Sequence, residues 1–196
     1  MIRKLFAALL ILAGCLTAGI TFLPIEIQES NLLIQTSVNS VLNNQPVGLR
    51  IPKFLPEGEQ VLFEMNLTAP LNHADGVIPP KQLEARLDLP GVDLFPSENL
   101  RVPYIAGQHI SFRWLVSAQT QPLTSGTLWL VEIGVDAAGE ETRQPLLARP
   151  FELDLQQVLG LSFERARWLG GGLIASGLLA AFFRLKRKQK TKKSGL

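Results

Sequence analysis

The residues able to do chemistry are few, and their spacing argues against it. The chain of 196 residues has two histidines and one cysteine. His73 falls in a stretch of loop composition and His109 at the start of a strand-like run. Neither an i,i+4 partner nor a C-x-x-C pair accompanies them, so both read as surface residues and not as metal ligands. No serine stands in a Gly-x-Ser-x-Gly or Ser-x-x-Lys setting. Glu140 and Glu141 adjoin Gly139, which reads as a solvated hairpin tip, not as an acid/base pair. Gly170-Gly171-Gly172 lies inside an apolar run, where it cannot cradle a phosphate. Asn66-Leu67-Thr68 fits a glycosylation acceptor, but within a strand-like run. The expectation is no catalytic residue, no metal and no cofactor.

Cys15 is the one remaining candidate. Leu12-Ala13-Gly14-Cys15 resembles the lipobox of bacterial lipoproteins, after a basic start at Arg3 and Lys4 and an apolar stretch. That resemblance implies lipidation at Cys15. The apolar run continues past it through Leu16, Ile20, Phe22 and Leu23, which favours an uncleaved helix over 5–23.

The charge layout is strongly asymmetric. Of the 19 Lys and Arg, Arg184, Lys186, Arg187, Lys188, Lys190, Lys192 and Lys193 crowd a tail at 184–196. They follow an uncharged run at 168–183 that opens with Trp168. All 17 acidic residues lie between Glu26 and Glu164, so the middle is acidic and the ends are basic. The formal +2 is an average over these parts, and no nucleic-acid partner is implied. Positive-inside sorting predicts two transmembrane helices, 5–23 and 168–183, in the cell membrane (plasma or inner). Both termini, 1–4 and the tail, would then be cytoplasmic and the acidic middle extracytoplasmic. The tail would fix topology and attract anionic membrane lipid. Small residues four apart mark faces where helices can approach closely: Gly171/Ala175, Gly172/Ser176 and Gly177/Ala181, with Gly14/Ala18 and Cys15/Gly19 as a matching surface.

Between 24 and 155 the pattern changes to short alternating runs punctuated by turn residues, and all 13 prolines fall there. Gln82 to Leu89 alternates most clearly, with Leu83, Ala85, Leu87 and Leu89 set against Gln82, Glu84, Arg86 and Asp88. Further strands are expected at 32–39, 61–68, 110–117, 129–135 and 142–155, with shorter ones at 92–95 and 100–105 and a loop at 72–80. Residues 156–167 read as a short amphipathic helix. Seven or eight strands without a convincing helix among them predict an all-β antiparallel sandwich.

Leu89-Pro-Gly-Val-Asp-Leu-Phe-Pro-Ser97, followed by Ala106-Gly-Gln-His-Ile-Ser-Phe-Arg-Trp114, resembles immunoglobulin-like modules of bacterial membrane-anchored surface proteins. The resemblance covers about 50 residues and is one of fold. It implies Trp114 as a core tryptophan, Phe112 and Trp129 are expected core aromatics from their strands, and the resemblance carries no function by itself. The whole layout predicts a non-enzymatic, membrane-anchored binding or scaffold protein. Its role would be that of an accessory or assembly subunit of a cell-envelope complex, with another membrane or envelope protein as partner. The alternative is an envelope lipoprotein, lipidated at Cys15, that binds a wall or small-molecule ligand.

Overall fold

The structure is a computed structural model. It describes the backbone of residues 2–35, 40–71, 80–118, 123–136 and 138–193, and within these the side chains of 5–182 except 123–124. The chain divides into two compact units, Ile25–Gln156 and a helical unit of Met1–Pro24 with Gln157–Leu196.

The first unit is β throughout. Ten strands run in order: β1 (Ile27–Leu33), β2 (Pro46–Pro52), β3 (Phe54–Pro56), β4 (Gln60–Thr68), β5 (Gln82–Asp88), β6 (Asp93–Phe95), β7 (Leu100–Pro103), β8 (His109–Ser117), β9 (Leu123–Val135) and β10 (Glu141–Gln156). They form two five-stranded sheets, β1-β2-β4-β8-β6 and β3-β10-β9-β5-β7. Alternation decides which side chains meet between them. Val61, Phe63, Met65 and Leu67 of β4 and Ile110, Phe112, Trp114 and Val116 of β8 are buried. So are Leu83, Ala85 and Leu87 of β5 and Leu128 and Leu130 of β9, all in one hydrophobic cluster. Each large side chain so buried stabilises the fold by about 1.5–3 kcal/mol.

Several elements differ from expectation for local reasons. The first strand begins five residues early, at Ile27, and ends at Leu33. There Ile34 N donates to Gln45 O and Asn44 N to Ile34 O, closing the turn into β2. The expected continuation over 36–39 lies outside the described residues, as does most of the 72–80 loop with His73. The sheets are not purely antiparallel, because Asp154–Gln156 run parallel to Phe54–Pro56. Pro46, Pro52, Pro56 and Pro103 stand at strand ends, and the register of β10 shifts between Pro145 and Leu147. Those are places where a missing N–H costs little.

The second unit pairs two helices, α1 (Ile2–Thr21) and α2 (Phe163–Lys193). Expected as a short helix of its own, 156–167 instead contains a turn. Leu159 and Gly160 take positive φ of 56° and 72°, and Val158 and Leu161 bridge each other. The Ser162 hydroxyl then accepts a 3.4 Å hydrogen bond from Arg165 N. With Glu164 in the first turn, this gives α2 a capped, acidic start.

Neither helix meets the expectation of a membrane span. Among the described residues, no helix is long and apolar enough to cross a membrane. In α2, Glu164, Arg165 and Arg167 occupy the opening turns. The uncharged run at 168–183 covers only about 24 Å. The two flanking transmembrane helices, and with them the predicted placement in the cell membrane with cytoplasmic termini, are therefore corrected.

The helices run antiparallel. A Cβ added at Gly14 would lie 2.7 Å from Gly170 O and 2.7 Å from Ile174 Cγ1. One added at Gly177 would lie 2.5 Å from Ile11 Cγ1 and 3.1 Å from Ala7 O. The contact residues Ala7, Ile11, Gly14, Ala18 and Thr21 recur every three or four positions, the spacing of a helix–helix seam. At its end, Arg167 donates to Thr21 O at 2.9 Å and stacks its guanidinium over Phe22 at 4.9 Å, completing the C-terminal carbonyls of α1.

Candidate functional site

Among the described residues of the β unit three carboxylates are buried, and each is held differently. Glu64, on the outward face of β4, accepts from Arg113 Nε at 2.8 Å, Ser111 Oγ at 3.2 Å and Arg50 at 3.4 Å. Burial alone would raise its pKa. The hydrogen bonds from Arg113, Ser111 and Arg50 more than offset this and hold it below the ordinary carboxylate value.

Glu84, on the outward face of β5, is 2% exposed. It accepts from Asn99 Nδ2 at 2.9 Å, from Arg101 Nε at 2.6 Å and from Arg143. Glu132 points inward from β9, opposite the core residue Leu83. The Ser40 hydroxyl donates to it, while Ser40 Oγ accepts from Leu42 N at 3.1 Å. Burial pushes its carboxyl above the ordinary value, and the Ser40 bond offsets only part of that. Tyr104 is raised as well, by burial and by the neighbouring Glu132 charge.

The Glu84 cluster is the floor plate of a groove. Register places Glu84 against Arg101 on β7 and Val131 on β9, Arg86 against Trp129, and Asp88 against Thr127. Beyond β9, Val131 faces Pro145 and Trp129 faces Ala148 on β10. These outward side chains line a hollow of about 400 Å³ built from Glu84, Arg86, Asp88, Asn99, Trp129, Val131, Arg143 and Pro145. Trp129 is half-buried and lies among them with Val131 and Pro145. A second hollow of about 590 Å³ shares Arg86, Asp88 and Asn99 and continues past Leu89 to Leu94 and Pro96.

The electrostatics of the groove are self-contained. Arg86 Nε donates to Asp88 Oδ1 at 2.6 Å, and Arg101 and Arg143 converge on Glu84. Along the first hollow Glu84 and Asp88 are matched by Arg86 and Arg143, and Glu98 adds a carboxylate to the lining of the second. The strand backbones beneath are already paired, β5 to β7 and β9, and β9 to β10. Recognition here must come from side chains.

The residues singled out in the sequence scatter differently. Phe112 and Trp114 lie in the core at 1% and 2% exposure and stack at 6.4 Å between centroids. Trp129 does not join them, since it faces outward. Gly14, Ala18 and Gly177 lie at the helix seam, together with Gly170, which the pattern of fours did not single out. Nothing lies within 4 Å of a Cβ added at Gly171 or Gly172, and Ala175, Ser176 and Ala181 are exposed.

Cys15 is exposed on α1, next to the seam glycine. The backbones of Arg184, Lys186, Arg187, Lys188, Lys190, Lys192 and Lys193 continue α2, and their side chains lie outside the described residues. His109 opens β8 opposite Thr68. Asn66 is paired within the ladder on both sides, to Gly48 and Ser111.

Among the described residues, no group of three or more His, Cys, Asp and Glu could hold a metal ion. Sequence reading missed the groove, although the charged alternation Glu84, Arg86, Asp88 on one face of β5 was its visible trace. No family model matches the chain, and no curated protein does.

Proposed function

We propose that this chain is a non-enzymatic binding and scaffold protein, an accessory or assembly subunit of a larger complex, and that it engages its partner through the groove on β5, β9 and β10. The observation that carries the reading is the groove itself. It is a concave surface with a half-buried tryptophan on its floor and polar side chains locked in place by one another. Such rigid aromatic anchors within a polar rim are what binding surfaces use.

The buried carboxylates support the same reading. Glu64 and Glu84 are committed to arginines and Glu132 to Ser40, which are structural attachments. The helical unit adds a second argument. Leu5, Phe6, Leu9, Leu12, Leu16, Trp168, Leu178 and Phe182 are each more than half exposed, an apolar surface too large for a chain that works alone.

The test is the size of the native assembly. Isolated from its own cells, the wild-type protein is expected to migrate in a complex larger than the single chain. Trp129→Ala and Arg86→Glu should each release it. Release by Gly14→Leu with no effect of the groove variants would move the contact to the helices. A wild-type protein that migrates as a single chain would overturn the reading.

A further inference from the structure

We infer that the groove is a site for a neutral, hydroxyl-rich ligand with one apolar face, which is to say an oligosaccharide. This rests on the reading of the groove as the surface that engages the partner, and the ligand it names is a glycan borne by that partner.

Three observations select that chemistry. First, a half-buried tryptophan, Trp129, lines the hollow beside Val131 and Pro145. A pyranose ring offers a complementary apolar C–H face, and an aromatic ring supplies large contact area at low conformational cost.

Second, the polar groups around it are planar and multidentate, and their charges cancel. Arg86 and Asp88 pair at 2.6 Å, and Asn99 and Arg143 are oriented by Glu84. Fixed by those bonds, the guanidinium, carboxylate and amide groups keep further donor and acceptor positions at which sugar hydroxyls can bond. In the first hollow the lining charges cancel, so an ionic ligand gains no net attraction there.

Third, the strands beneath have their backbone groups paired in ladders. An extended peptide, which gains its affinity from main-chain pairing at an open sheet edge, finds none on this face. The continuation into the second hollow, about 590 Å³ and joined to the first by Arg86, Asp88 and Asn99, gives room for a chain longer than one ring. Both volumes fall in the range of small-molecule sites.

The experiment is calorimetric titration of the purified full chain with cellohexaose and, separately, with chitohexaose. Binding of at least one is expected. It should weaken about tenfold in Trp129→Ala, equivalent to about 1.4 kcal/mol, and less in Trp129→Phe, which keeps a flat ring. Arg86→Ala is the second variant: its half-exposed side chain can be lost without opening the core, and it should also weaken binding.

Absence of heat with both sugars at millimolar concentration overturns the oligosaccharide assignment. So does binding that Trp129→Ala and Arg86→Ala both leave unchanged. If sugars fail while Trp129→Ala still releases the native complex, the groove is a protein-binding surface and only the ligand class is wrong. If sugars bind as expected while the complex survives Trp129→Ala, the reading that falls is the one that places the partner in the groove.

Discussion

Two tryptophans close together in sequence space do opposite work. Trp114 is buried against Phe112, and Trp114→Ala should cost about 3–5 kcal/mol in chemical denaturation, whereas Trp129 fills no core. The sequence assigned both to the core because β9 is apolar on both faces. Leu128-Trp129-Leu130-Val131 has no phase from which an inside can be read. Pairing with β5 settles the phase the other way, leaving Leu128, Leu130 and Glu132 inward.

Glu132 therefore carries a pH signature. Its folded pKa is raised, so its contribution to stability is full below the ordinary carboxylate range and is lost as pH rises through the folded value. Glu132→Gln, which can still accept from Ser40, should melt higher than wild type at neutral pH, with the gap closing in acid. Glu64, whose pKa is lowered, runs in the opposite sense. Its contribution is present above the ordinary carboxylate value and is lost as pH falls through the folded one. Equal melting of Glu132→Gln and wild type at every pH would refute the assignment of a destabilising buried charge.

At the scale of elements, the small residues of α2 were legible but their face was not. Glycines and alanines four apart occur on several sides of that helix, so spacing alone could not choose among them. The structure chooses Gly170 and Gly177, seven apart, because these sit level with Gly14, Ala18 and Ile11 of an antiparallel neighbour. Gly14→Leu should destabilise the helical unit by about 1–3 kcal/mol through overpacking, seen as faster proteolysis of α1. Gly171→Leu, with open space beyond it, should leave that rate unchanged. The strands of clean alternation, β4, β5 and β8, were readable from sequence for the converse reason: one face is wet, so polar residues mark the phase. The parallel pairing of β3 with β10 was not, since three residues between prolines hold no signal of direction.

Across the β unit as a whole, the arrangement of its two ends has a mechanical consequence. Lys53 N donates to Glu26 O at 2.9 Å, and Lys53 Nζ pairs with the Glu26 carboxylate. One residue on, Phe54–Pro56 run alongside Asp154–Gln156, and Glu57 N reaches Gln156 O at 3.1 Å. The first and last strands of the unit are thus both fastened to one short corner, Pro52–Pro56. Tension applied between Ile25 and Gln156 is borne by that corner together with the β1–β2 and β9–β10 ladders. The groove, with Arg143 and Pro145 of β10 in its lining, thus rests on a strand that takes up the pull.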